Sequence, residues 1–320
     1  MKATDSSRCK VAIIGAGNMA REHIRAFRDT EGVEIVGIHS RSRSKAESIA
    51  KEFGIPGIYD SVSEMYDDTE ANLVVVAVQE DSMLEVSKCC FEFPWTLLLE
   101  KPPGLNVAEA EEIFESAQNN ASNALVALNR RFFSSTRLVF DDLSTCNGAR
   151  FIKVQDQEDS VQALKDGHSQ RVVNNWMFCN SIHIIDYFLT FGRGKVKSVT
   201  PVVPWDSRHP AVVVSRIEFE SGDIGLYEGI WNRPGPWSVS VSTAKKRWEM
   251  RPLECASVQS DGERESKPLS IHPRDTEYKP GFKLQAEMAV ASAMGSPSES
   301  PSLKESLSTM HLVQAIFAGA

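Results

Sequence analysis

The sequence has no apolar run near the ~18 residues that a membrane helix requires. Its longest, such as Leu73 to Val78, are the size of a strand. It also has no blocks of like charge. Its 35 basic and 43 acidic residues give a net charge of -8 and are interspersed, which argues against nucleic acid or an anionic membrane as the main partner and leaves a small molecule. Cysteine is scarce. The six, at 9, 89, 90, 146, 179 and 255, show neither metal-ligand spacing nor the density of a disulfide framework, so free thiols and no metal are expected. Met1 to Arg8 lack the apolar core of a signal peptide, which sets the expectation of a cytoplasmic protein. There is no internal repeat and no long low-complexity tract.

What is present is enough apolar residue, 42% of 320, for two cores and two domains. The organising stretch is Val11 to Ala20. Val11 to Ile14 read as a buried parallel strand, Gly15 permits a tight exit, and Gly17 lets the backbone approach a pyrophosphate without a Cβ in the way. Ala20 supplies the small residue needed for close helix-to-strand packing. The pattern turns helical from Asn18, so the free N-H groups of Asn18 and Met19 would face an anionic ligand. Gly15, Gly17, Asn18 and Met19 are therefore expected to hold a dinucleotide.

Strand signals at 10–14, 33–38, 73–78, 96–99 and 124–128 alternate with helical ones at 18–28, 44–53, 82–91 and 106–119. That alternation predicts a doubly wound parallel sheet over residues 1–128, a Rossmann α/β domain. Residues 129–320 read differently. A helix over 134–143 and a strand over 150–157 precede a polar stretch, 158–174, expected as loop, and a helix over 176–191. Strands at 195–203, 211–219, 224–232, 236–243, 246–254 and 255–259 follow, joined by turns such as Ser221-Gly222-Asp223. Residues 263–279 read as an exposed excursion, and helices at 282–294 and 302–318 close the chain. The chain thus reads as an α/β domain followed by helices and strands paired as an antiparallel sheet.

A site selective for NAD usually carries Asp or Glu at the end of the second strand. Here the strand exits as His39-Ser40-Arg41-Ser42-Arg43, without an acid. Ser40 or Ser42 can donate to a 2'-phosphate, and Arg41 and Arg43 can add charge-assisted hydrogen bonds worth about 1.5–3 kcal/mol each. NADP(H) is therefore expected over NAD(H), with Arg41 the stronger candidate of the two arginines.

Ligands of such sheets lie beyond the carboxyl ends of the strands. Those exits read Val78-Gln79-Glu80-Asp81, Glu100-Lys101-Pro102-Pro103-Gly104 and Asn129-Arg130-Arg131-Phe132, which adds Val78, Glu100, Lys101 and Asn129 to the cofactor candidates. The later helix carries Asn180, His183 and Asp186. In its glycine turn, its Glu100-Lys101-Pro102, its Asn129 to Phe132, its His183 and Asp186 helix and its Tyr278-Lys-Pro-Gly-Phe282 pattern, the chain resembles the Gfo/Idh/MocA oxidoreductases along nearly its whole length.

That resemblance implies reversible hydride transfer between nicotinamide and a hydroxyl-bearing carbon of a sugar, polyol or nucleotide sugar. It implies the fold class α/β plus α+β, an N-terminal Rossmann domain followed by a domain built on a large, mostly antiparallel sheet for substrate and oligomer contacts, with the closing helices free to pack back on the first, and a homo-oligomer, dimer or tetramer, formed through that sheet. It places Lys101 at the reacting hydroxyl and His183 in proton transfer. The chemistry agrees, because a lysine lowered from ~10.4 by burial and neighbouring cations takes such a proton near neutral pH. Lys101, Arg131, Trp176, Asn180, His183 and Tyr278 form the expected substrate set, with Trp231, Asn232 and Arg233 as secondary candidates. One departure stands out: relatives often have Asp four residues before the histidine, and here that residue is Cys179. A thiol cannot act as a fixed counter-charge, so a non-catalytic NADP(H)-binding sensor or regulatory protein is the alternative reading.

Overall fold

The computed structural model describes residues 8–318, so the expectation attached to the N-terminal segment falls almost wholly outside the described residues. The chain forms two compact units, Met1–Asn129 with Thr276–Leu307 and Arg130–Asp275 with Ser308–Ala320.

In the first unit six strands pair in parallel: β1 (Cys9–Ile14), β2 (Val33–His39), β3 (Gly57–Tyr59), β4 (Leu73–Val76), β5 (Thr96–Leu99) and β6 (Asn123–Val126). Their order is β3-β2-β1-β4-β5-β6. The order reverses beside β1, which opens a crevice at the carboxyl ends of β1 and β4, where doubly wound sheets bind ligands. Every residue of β4 and β5 is buried, as strands covered on both faces require. The strand β3 and the helix Val62–Thr69 escaped the sequence reading. Three residues give no measurable period, but the helix had a signal. Ser61 caps it by accepting from the Glu64 N-H at 3.1 Å, and Glu64 reaches back to the Asp60 N-H at 2.8 Å, close to the reciprocal pattern of a capping box.

The second unit carries an eight-stranded sheet of β7 (Phe151–Glu158), β8 (Val196–Val203), β9 (Val212–Phe219), β10 (Ile224–Trp231), β11 (Ser238–Ser242), β12 (Lys246–Met250), β13 (Ser257–Ser260) and β14 (Lys267–Pro268). The order is β14-β13-β12-β11-β7-β10-β9-β8. Only β7 and β10 run parallel; the other neighbours are antiparallel. Along β7 and β10 burial alternates residue by residue, so one face is core and the other is open.

Three expectations need correction. The polar stretch taken as loop contains helices Ser160–Lys165 and Gln170–Asn174, each begun by a side-chain cap, Asp159 and Ser169. The helix expected as one piece opens with a π-helical turn, Met177–Ser181, before the α-helix Ile182–Phe191. The excursion after residue 263 holds β14 and the short helix Arg274–Glu277. Among the described residues no helix is long and apolar enough to cross a membrane, and all six cysteines are thiols.

Candidate functional site

In the first unit the chain passes from β1 into the helix Asn18–Arg28 through two glycines that do different work. Gly15 has φ +115°, and a Cβ there would stand 2.1 Å from the Ala77 carbonyl oxygen. Its N-H donates to the His39 carbonyl at 2.8 Å, so Gly15 is held between the exits of β2 and β4. Gly17 is exposed, and a Cβ built on it meets nothing within 4 Å. It caps the helix Asn18–Arg28, whose first turn has neither a side-chain cap nor an acidic residue. The orphan N-H groups and the positive helix end therefore face open space, as an anion site requires. Asn18 is exposed there and Met19 is half-buried, its sulfur 3.5 Å from Lys279 Nζ.

At the exit of β2 the two arginines differ. Arg43 is engaged by two carboxylates, Glu47 at 3.1 Å and Asp60, and the Asp60 hydrogen bond pushes the guanidinium further up its basic range. Arg41 is exposed and, among the described residues, reaches the Gln79 side-chain oxygen at 3.5 Å. Ser40 is half-buried and accepts from the Ser42 N-H at 3.3 Å, while Ser42 takes the N-cap position of the helix Arg43–Phe53. Val78, also half-buried, follows Ala77 out of β4.

Glu100 and Lys101 end β5. Glu100 is 5% exposed and bonds at 2.7 Å to Nε2 of His23, itself 1% exposed. Its other oxygen accepts from the Lys101 N-H at 3.2 Å. Burial by itself pushes this carboxyl up, but the His23 hydrogen bond and the charges of His23, Lys101 and Lys279 hold it below its ordinary value. Glu100, expected at the cofactor, is turned instead toward His23 and the backbone of the half-buried Lys101. His23 was missed by the sequence reading; its only signal is a place on the buried face of the helix Asn18–Arg28.

His23→Ala would leave a buried carboxylate without its main partner and is expected to cost about 3–5 kcal/mol, with His23→Gln losing less because it keeps a donor. Because the folded carboxyl lies below its ordinary value, its stabilisation is present above the normal carboxylate range and is lost as pH falls through the folded value. Denaturant unfolding at neutral and acidic pH measures both effects, and a His23→Ala loss that does not shrink in acid would reject this account.

Two more expected ligands are occupied within the same unit. Asn129 is buried and donates to the Pro280 carbonyl at 3.1 Å. The Tyr278 hydroxyl donates to Asp29 at 3.1 Å, and Lys283 lies 5.7 Å from the centre of its ring.

In the second unit Arg131 makes a two-point bond to the buried Asp186, at 2.6 and 2.8 Å, and Thr309 donates to the same carboxylate at 2.7 Å. Arg131 is thus committed to Asp186 rather than displayed to substrate. Trp176 and Asn180 are brought together. The Trp176 indole N-H donates to Glu158 Oε2 at 2.6 Å, and the Asn180 amide donates to the two Glu158 oxygens at 3.1 and 2.9 Å.

These three line a cleft of about 350 Å³ with Trp237, Gln162 and Asp166. Trp237 is fixed by an N-H bond to the Gln157 carbonyl at 2.7 Å and by the Arg130 guanidinium 4.0 Å from its ring centre. Sequence reading missed Glu158 and Trp237, although the strict alternation of β7 points Glu158 inward. His183 is half-buried on the α-helix after the π turn, and Cys179 is buried, its sulfur 3.8 Å from the Val172 carbonyl. Cys179 and Asn180 lie in the π turn and His183 and Asp186 in the α-helix after it, so the α-helical spacing expected between the first pair and the second is shifted.

Trp231 is a core residue against Trp205 and Phe317, ring centres 4.6 and 5.8 Å away. Asn232 accepts from the Ser160 N-H at 3.0 Å and so fastens the start of the helix Ser160–Lys165. Arg233 is exposed.

Residues 9–128 match the model of the oxidoreductase family with NAD-binding Rossmann fold, Gfo/Idh/MocA. Among characterised relatives, 4-carboxy-2-hydroxymuconate-6-semialdehyde dehydrogenase of a Sphingobium species is 22% identical over 71% of this chain and 73% of its own length. Glucose-6-phosphate 3-dehydrogenase of Bacillus subtilis is 28% identical over 41% of this chain, a match that spans 36% of that relative. A levoglucosan dehydrogenase in complex with NADH and levoglucosan superposes with a TM-score of 0.80 at 16% identity, covering 97% of this chain and 96% of the other. A dehydrogenase from Chromobacterium violaceum gives a TM-score of 0.83 at 16% identity over 98% of this chain and 95% of its own. Over residues 9–128, the chain is thus similar to the NAD-binding domain of the Gfo/Idh/MocA oxidoreductases.

Proposed function

We propose that the chain is an oxidoreductase that prefers NADP(H) and interconverts a hydroxyl and a keto group on a sugar, polyol or nucleotide sugar. The carrying observation is that Glu100, buried and bonded to His23 of the cofactor helix, also holds the backbone N-H of Lys101. The lysine thereby starts from a strand end tied to the same helix that would cradle the pyrophosphate. Bound nicotinamide supplies the hydride acceptor or donor. Gly15, Gly17, Asn18 and Met19 would hold the dinucleotide, with Val78 beside them. In the oxidative direction the neutral amine of Lys101 takes the hydroxyl proton as the hydride departs; in reduction the ammonium returns it. His183 serves as the second proton-transfer group, as the family resemblance implies. Trp176 and Asn180 supply a stacking face and an amide suited to a polyhydroxylated substrate, an assignment supported by their common cleft.

Arg41 and Ser40 give the preference for a 2'-phosphate. Arg41→Ala is expected to weaken NADPH by about 10- to 150-fold and NADH far less, measured by fluorescence titration with each cofactor; equal losses would reject the contact. Turnover itself is tested by nicotinamide absorbance across a panel of sugars, polyols and nucleotide sugars. NADPH binding with no turnover on any of them would favour the sensor reading, to which the thiol at Cys179 lends its support. We place the protein in the cytoplasm as a homo-oligomer. Phe151 and Ile224, paired and exposed on the open face of β7 and β10, support contacts through that sheet.

A further inference from the structure

The inward face of β7 reads Ile152, Val154, Asp156 and Glu158, which puts two carboxyl groups two residues apart on a surface where Asp156 is 0% and Glu158 1% exposed. Asp156 Oδ2 accepts from the Tyr227 hydroxyl of β10 at 2.7 Å. Its Oδ1 is buried and has no hydrogen-bond partner among the described residues, and its side chain shares the buried inward face of β7 with that of Glu158, two residues on. Two ionised carboxylates are both acceptors and cannot bond to each other. One proton retained by the pair removes the cost of two buried charges side by side, as in other close carboxyl pairs. The remaining capacity of Glu158 is spent on the cleft: Trp176 at 2.6 Å, Asn180 at 2.9 and 3.1 Å, and the Ser181 hydroxyl at 3.3 Å.

We infer that Glu158 is the positioning residue of this cleft, fixing the Trp176 indole and the Asn180 amide for substrate through a carboxyl pair that shares one proton with Asp156. The inference rests on the reading that Trp176 and Asn180 contact substrate. The groups facing the pair are Tyr227 from β10, Ser181 and Asn180 from the π turn, Trp176 before it, and the Arg130 guanidinium, whose charge acts on both acids. Asp159 and Asp166 add negative charge at the rim of the cleft.

Burial, and then the charge of Asp156, hold Glu158 well above the ordinary carboxylate range, against the Asn180 and Trp176 bonds that favour its ionised form. Asp156 is raised as well, by burial first. The singly protonated pair therefore persists above the pH at which exposed carboxyls ionise. Once pH rises through the upper value, two charges share a buried space and repel. Glu158 then loses its fixed place, and with it the register of Trp176 and Asn180.

The test begins without substrate. Tryptophan fluorescence is titrated with alkali in the full chain and in Trp176→Phe, and the difference isolates one indole. An alkaline step is expected, and it should vanish in Glu158→Gln, whose amide donates to Asp156 and never titrates. Asp156→Asn, which supplies the same donor from the other side, should abolish it too and guards against a folding defect in the first variant. In turnover, KM should rise with pH over the same range while kcat changes less. Glu158→Gln should flatten that rise, and Glu158→Ala should increase KM by about tenfold or more at neutral pH. A fluorescence step that survives in both amide variants, or a KM profile that Glu158→Gln leaves unchanged, overturns the inference. A step abolished in both variants of a chain that turns over no substrate would keep the shared proton and remove the function assigned to the cleft.

Discussion

Lys101→Ala is expected to lower kcat/KM by about 100- to 10,000-fold, the range over which a positioned proton-transfer group contributes. The loss should fall on kcat, because a group that takes the proton acts in the transition state and adds little to ground-state binding. Cofactor affinity should hold within a few-fold, since Gly15, Gly17 and the open helix end are untouched by the change. Lys101→Met separates charge from bulk: it keeps most of the side-chain stem that packs at the half-buried position but has no amine. Steady-state kinetics with NADPH, beside direct cofactor titration, checks both variants. Equal activity in wild type and Lys101→Met would remove Lys101 from the reaction. A loss confined to KM would leave it as a binding group only.

Glu100 explains why this strand exit stands out in the sequence while the direction its side chain takes does not. A charged pair followed by two prolines at the end of an all-apolar strand is locally anomalous, so Glu100-Lys101-Pro102 stood out at once. Whether Glu100 faces the ligand or the interior depends on a partner 77 residues away, His23, and no local pattern encodes that distance. The same limit applies at Arg131, chosen for its place at a strand exit and found bonded to Asp186, 55 residues on. The parallel sheet was legible because β-branched runs and helical spacing are local, and the strands missed were too short to show a period. In the second unit, reading 158–174 as polar loop concealed a buried carboxyl group of the cleft: Glu158 is the last inward position of β7, not the first residue of a loop. Following the period-2 rule one residue further would have found it.

The glycine turn yields the other large effect, and it separates fold from ligand within three residues. Gly15→Ala should destabilise the protein by about 2–6 kcal/mol, from left-handed backbone strain and from overpacking, because its Cβ would lie 2.1 Å from the Ala77 carbonyl oxygen. That neighbour is backbone, between β1 and β4, and no rotamer change relieves it. Gly17→Ala should unfold within about 1 kcal/mol of wild type, since its Cβ meets nothing within 4 Å and its φ of -96° suits any residue. If the open space is where a pyrophosphate sits, that methyl group occupies the approach of the phosphate oxygens to the helix N-H groups. Cofactor affinity should then fall by about tenfold or more, equivalent to about 1.4 kcal/mol, in a protein that melts normally. Thermal unfolding and NADPH titration of the two variants read the two roles separately. A Gly17→Ala protein that binds both NADPH and NADH as tightly as wild type would mean that the cradle is only a packing turn, and the cofactor assignment would fail with it.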